Sequence, residues 1–206
     1  MLGIETIRVF SLVFFVALVV GSAMLVFFGR KRRDLGSAKA SNESNFVILY
    51  HVWHVLTVFP LFFFLVGVIM PGWVYGTVLN LSFQGAEYLQ VLSLPLFLIA
   101  IALLGWSARS LGQFVDPHIQ VLQKHELVTR GPYSRIRHPI YTSAIIGALA
   151  YTLLYLSIIL LIALLVVFAI AYNRAVLEEE LLASEDGFGQ EYRDYMKRTG
   201  RFLPRL

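Results

Sequence analysis

Two stretches hold most of the side chains here that could do chemistry. The first reads His125-Glu126-Leu127-Val128-Thr129-Arg130-Gly131-Pro132-Tyr133-Ser134-Arg135-Ile136-Arg137-His138-Pro139-Ile140-Tyr141. Gly131-Pro132 marks a turn, and Pro139 suits the first turn of a helix. Arg137 and His138 then sit at a helix N-terminus, where free backbone N–H groups favour an anion. An arginine there can hold a carboxylate through two parallel hydrogen bonds. Tyr133 and Tyr141 offer aromatic faces that attract a cation. The second stretch reads Arg174-Ala175-Val176-Leu177-Glu178-Glu179-Glu180 and leads into Phe188-Gly189-Gln190-Glu191-Tyr192-Arg193-Asp194-Tyr195. Arg174 and Glu178 are four apart and share a helix face. Taken singly, these residues also fit a plain interface: a snorkelling arginine, an aromatic belt and a solvated helix end.

The elements that must position these groups are membrane helices. Of the 206 residues, 58% are hydrophobic and only 15% charged, with a mean hydropathy of +0.72. An ordinary soluble domain carries about 25% charged residues. Hydropathy predicts five spans of about 20 residues or more each. They are Ile4 to Phe28, Phe46 to Met70 with Pro60, Leu89 to Ala108 with Pro95, and a hairpin of two within Ile140 to Val176, turning near Tyr155 to Ser157. The first span is too long for a cleaved signal peptide. The expected fold is all-α: a single multi-pass bundle over residues 1–206. Residues 1–108 supply three spans, and residues 109–206 supply the hairpin, the tail and a cytosolic cofactor pocket.

Sixteen of the 17 basic residues fall on one side of this arrangement, and only Arg8 lies at the other end. By the positive-inside rule the N-terminus is outside and the tail cytoplasmic. The net charge of +4 is then explained by topology and by contact with membrane lipids. No nucleic-acid partner is expected. The chain has no cysteine, so it has no thiolate metal site and no thiol nucleophile. His51 and His54 share a face of the second span, but a metal needs further ligands, and structural hydrogen bonding is the simpler reading. Trp53, Trp73 and Trp106 read as interface or packing residues.

The order H-x-L-V-x-x-G-P-Y-x-x-x-R-H-P-x-Y, a hairpin, R-x-x-x-E-E, and F-G-x-E-Y-x-x-Y-x-x-R-x-x-R-x-x-P resembles the isoprenylcysteine carboxyl methyltransferase and phospholipid methyltransferase family. The likeness runs from about Arg109 to Pro204. It implies an S-adenosyl-L-methionine-dependent methyltransferase, in keeping with the lack of a G-x-G-x-x-G turn. It also implies a lipophilic acceptor arriving from the bilayer. Carried over by motif position, the cofactor residues are His125, Leu127, Val128, Gly131, Tyr133, Arg137, His138, Tyr141, Glu178 and Glu179. Arg174 would orient the acceptor, with Glu178 as a possible base. A prenylcysteine-type carboxylate, which needs no base, is the first expectation; a phospholipid amine or a small thiol is the alternative. NADPH-dependent sterol and isoprenoid reductases share a related C-terminal half but are longer, and a non-enzymatic membrane protein is the remaining rival. The sequence departs from the family at Leu182 to Phe188, where the usual four-residue step is six.

The charge asymmetry predicts the outcome of impermeant thiol labelling. Ser37→Cys and Gly76→Cys should react from opposite sides of a sealed membrane. Labelling from the same side would overturn the topology.

Overall fold

The computed structural model describes residues 1–29, 38–41, 59–116, 120–122 and 126–205. Helix α1 runs Ile4–Gly29, α2 Phe59–Ile69, α3 Ala86–Leu111, α4 Pro139–Tyr155, α5 Ile158–Ala183 and α6 Gln190–Arg198. Two short strands, β1 (Ala38–Ser41) and β2 (Gln120–Leu122), pair antiparallel and join the first and third loops. The fold is an all-α membrane bundle. Among the described residues, three helices are long and apolar enough to cross a bilayer: α1, α3 with its 3-10 extension to Phe114, and α5. The hairpin turns where its apolar length requires, α4 stopping at Tyr155 and α5 starting at Ile158. The helix of the second span is described only from Phe59, so His51, His54 and Trp53 lie outside the described residues.

Apolar burial cannot drive helices together in lipid, so close packing and interhelical hydrogen bonds must do so. An aromatic knot joins the first four helices. Phe14 of α1 stacks on Phe97 of α3 at 3.9 Å, and Phe64 of α2 meets Phe14 edge-on at 5.4 Å and Tyr151 of α4 at 4.5 Å. The Tyr155 hydroxyl then bonds Ser11 at 2.6 Å. Helix α5 packs chiefly on α4 and turns a row of exposed apolar side chains, including Leu165 and Phe168, outward.

Gln90 is the polar hub at the end of the bundle away from the hairpin's polar segment. It is wholly buried, donates to the Leu154 carbonyl at 2.8 Å and accepts the Leu2 N–H at 2.8 Å. Its amide nitrogen also reaches the Tyr75 hydroxyl at 3.0 Å. Gln90→Ala leaves these groups unpaired and should destabilise the bundle by about 1–3 kcal/mol. Ser93→Ala, which removes only a bond to its own helix's Gln90 carbonyl, should cost less. Thermal unfolding of the two variants in detergent checks the difference.

Candidate active site

The first polar stretch is held at both ends. Gly131 takes φ +61°, and a Cβ there would lie 2.3 Å from Ser110 Oγ and 3.1 Å from Trp106 Nε1 of α3. Only glycine permits so close an approach in this conformation. A 3-10 turn, Gly131–Ser134, follows and buries Tyr133, whose carbonyl accepts the Tyr195 hydroxyl at 2.6 Å. The tail then lies alongside: Arg137 N–H donates to Gly200 O at 2.8 Å, His138 N–H to Arg201 O at 3.1 Å, and Gly200 N–H to Arg135 O at 3.0 Å. Pro139 opens α4.

Helix α5 continues beyond the end of the apolar stretch at Val176 to Ala183, and so carries Glu178 and Glu179 to this place beside Arg174. Glu179 is 6% exposed and accepts from Arg137 Nε at 2.7 Å and Arg201 Nη2 at 2.6 Å; His138 Nε2 is 3.2 Å away. Arg137 also donates through Nη1 to the carbonyls of Met196 (3.2 Å) and Thr199. Glu178 takes a different set. The Tyr141 hydroxyl donates to it at 3.0 Å, Arg174 Nε donates to that hydroxyl at 3.3 Å, and His138 Nδ1 stands 3.5 Å off. The Glu178 side chain keeps 32% of its surface, against 7% for Glu179.

Both ring nitrogens of His138 face carboxylates, and both can donate only in the imidazolium form. Burial opposes that charge, but hydrogen bonds to Glu178 and Glu179 and their fields outweigh it and raise the His138 pKa. Among the described residues, three guanidiniums (Arg137, Arg174, Arg201) thus face two carboxylates, an excess of positive charge suited to a carboxylate ligand.

The structure brings Tyr133, Arg137, His138, Tyr141, Arg174, Glu178 and Glu179 to one end of the bundle. Gly131 is set against α3, beside an open cleft lined by Trp106, Arg109, Ser110 and Arg130. Leu127 and Val128 are half-buried on the approach to it, and His125 lies outside the described residues. One expectation is revised. The backbone N–H groups of Arg137 and His138 are taken by the tail, and Arg137 holds Glu179 rather than presenting an open fork. Sequence reasoning gave no role to Arg201, Thr199 or Gly200. Arg201 stood in the quoted R-x-x-R-x-x-P motif, which was the available signal. The six-residue step forms a tight turn in which Phe188 N–H returns to Leu182 O at 2.8 Å, and Tyr192 and Tyr195 remain buried beyond it.

A model of the isoprenylcysteine carboxyl methyltransferase family matches residues 92–184, which contain α4, α5 and all of these groups except those of the tail. The match spans a little under half of the chain, and over that segment the chain is similar to this family. The chain is also 34% identical over 110 residues to the nickel-cobalt-cadmium resistance protein NccN of Alcaligenes xylosoxydans xylosoxydans, covering 53% of this chain and 51% of that one. It is 32% identical over 111 residues to the cobalt-zinc-cadmium resistance protein CzcN of Cupriavidus metallidurans, covering 53% and 50%. The chain thus matches about half the length of these curated relatives.

The His138 pairing has a pH signature. Its folded pKa is raised above the ordinary 6.5, so the stabilisation is complete below that value and is lost as pH rises through the raised one. Unfolding midpoints measured from acid to alkaline pH should fall across this window. In His138→Gln that slope should vanish.

Proposed function

We propose that the chain transfers a methyl group from S-adenosyl-L-methionine to a lipophilic acceptor at the cytosolic face of a membrane, with a prenylcysteine-type carboxylate as the first candidate. The observation that carries this reading is the convergence of both motif blocks on Glu178 and Glu179. When bound, the cofactor supplies a sulfonium methyl group open to direct displacement. The residues present fit such a molecule by their chemistry. Glu178 retains exposed surface, so it can face an ammonium or ribose hydroxyls. Tyr141 adds an aromatic face. The cationic excess fits a carboxylate, and Nη2 of Arg137 is not used by the bonds that hold Glu179.

Glu179 has a different task in this reading. Bound by Arg137 and Arg201, it fixes the tail against α4 and excludes water from the site. Arg174 is 3% exposed and reaches Glu178 through the Tyr141 hydroxyl, which places its guanidinium to orient an acceptor. For an amine or thiol acceptor, Glu178 would take the proton. A carboxylate acceptor asks only for alignment in a dry site.

The names of the two relatives favour a setting in metal resistance, which makes membrane modification the chain's contribution to it. Among the described residues, no three His, Asp or Glu side chains are grouped to hold a metal. Deleting the gene and comparing growth on cadmium with the loss of a methylated lipid tests that setting.

Calorimetric titration of the purified protein should show binding of S-adenosyl-L-methionine and none of NADPH; the reverse would move the chain to the reductases. Arg174→Ala should leave cofactor affinity nearly unchanged and lower methyl transfer by roughly 100-fold, the scale of lost alignment. Lysine should restore little, because it lacks the planar fork. Normal turnover of Arg174→Ala would remove this residue from the site.

A further inference from the structure

After α6 the tail carries Phe202 onto α5. Phe202 meets the Phe168 ring at 6.2 Å and packs against Tyr141, Ala171 and Ala175. The Thr142 hydroxyl donates to the Phe202 carbonyl at 2.9 Å, which fixes the segment beside the first turn of α4. Leu203 follows with 74% of its surface exposed.

The depth of Phe168 follows from helix length. The 26 residues of α5 make a rod of roughly 39 Å, and Phe168 is ten residues, roughly 15 Å, from its start. A bilayer's hydrocarbon core is about 30 Å thick. Wherever α5 is placed so as to cross it, Phe168 lies inside the core. Phe168 is also 48% exposed, so its open side faces acyl chains. A residue that touches it from the tail must therefore reach at least the boundary of the hydrocarbon.

The charges around this point agree. Arg198 and Arg205 are exposed on the same short segment, and Arg201 lies over the Tyr172 ring at 4.9 Å while bonded to Glu179. Lys197 is paired with Asp194 at 2.7 Å, and Glu191 is the other exposed acid on α6. The cationic excess thus lies at the last residue of α6 and in the tail after it, next to the apolar pair. Basic residues beside an apolar wedge are attracted to an anionic leaflet.

The geometry points to Phe202–Leu203 as a wedge inserted into the membrane, with Arg198 and Arg205 on the headgroups of anionic phospholipids. The strap that brings Arg201 to Glu179 is then seated by the lipid surface as well as by protein contacts. This inference rests on α5 crossing the bilayer and not on the proposed reaction, so the two can fail separately.

The chain has no cysteine, so a single introduced thiol gives a clean probe. Leu203→Cys and, as a control on the solvent side of α6, Glu191→Cys are labelled with an environment-sensitive fluorophore. The full chain is then placed in vesicles of phosphatidylcholine, alone or mixed with phosphatidylglycerol, containing a lipid spin-labelled near the headgroup. The Leu203 probe should be quenched severalfold more than the Glu191 probe, and more strongly in the anionic mixture. Equal quenching at the two positions would overturn the insertion. Quenching that ignores phosphatidylglycerol would overturn the role of the arginines. Leu203→Asp should also speed tryptic cleavage after Arg198 and Arg201 severalfold, and an unchanged rate would count against seating by lipid.

Discussion

A carboxylate that is 6% exposed inside an apolar bundle persists only if its charge is met, and Glu179 is met by three groups. Arg137 and His138 come from the segment before α4, and Arg201 comes from the tail. Stripping one partner from a buried ionic group typically costs about 3–5 kcal/mol, because the remaining charge is left without compensation. The position of the tail, the register of the loop before α4 and the rotation of α5 about its axis all have to satisfy the same two oxygens. This is why a site built from segments far apart in sequence can be well defined without a soluble domain around it.

Its neighbour Glu178 shows the opposite economy. One residue earlier on the same helix, it points to Tyr141 and Arg174 and keeps a share of its surface open. Consecutive residues on a helix are turned about 100° from each other. A Glu-Glu pair can therefore divide its work, one carboxylate closing the structure and the other facing whatever enters. His138 stands between them and senses both.

Much of this was legible in the sequence. The hairpin turn could be placed within a residue or two, because the apolar run from Ile140 to Val176 is too long for one crossing and Pro139 marks its entry. That R-H-P-x-Y and R-x-x-x-E-E come together was legible only through the family resemblance, not from their spacing. Two things were not. Hydropathy ends at Val176 because glutamates follow; the shared face of Arg174 and Glu178 carries the helix past it, but nothing in the sequence takes it on to Ala183, where arginines and a histidine from elsewhere neutralise the carboxylates. The partner of Arg137 was also hidden: a guanidinium suited to a ligand's carboxylate is equally suited to a glutamate of the chain. Which of the two it meets depends on where the tail lies, and the tail is placed by backbone bonds at Gly200 and Arg201 that no residue type announces.

The far tip of the hairpin has a mechanical consequence. Leu81 N–H donates to Leu156 O at 2.7 Å, Ile158 N–H to Leu79 O at 3.0 Å, and Asn80 Nδ2 to Tyr155 O at 2.8 Å, so the turn is buckled to the loop before α3. A hairpin fastened at its tip cannot slide along its own length. Tyr141 is fourteen helical residues from that buckle, roughly 21 Å. The level of Arg174 and Glu178 relative to the far loop is thus set as by a ruler.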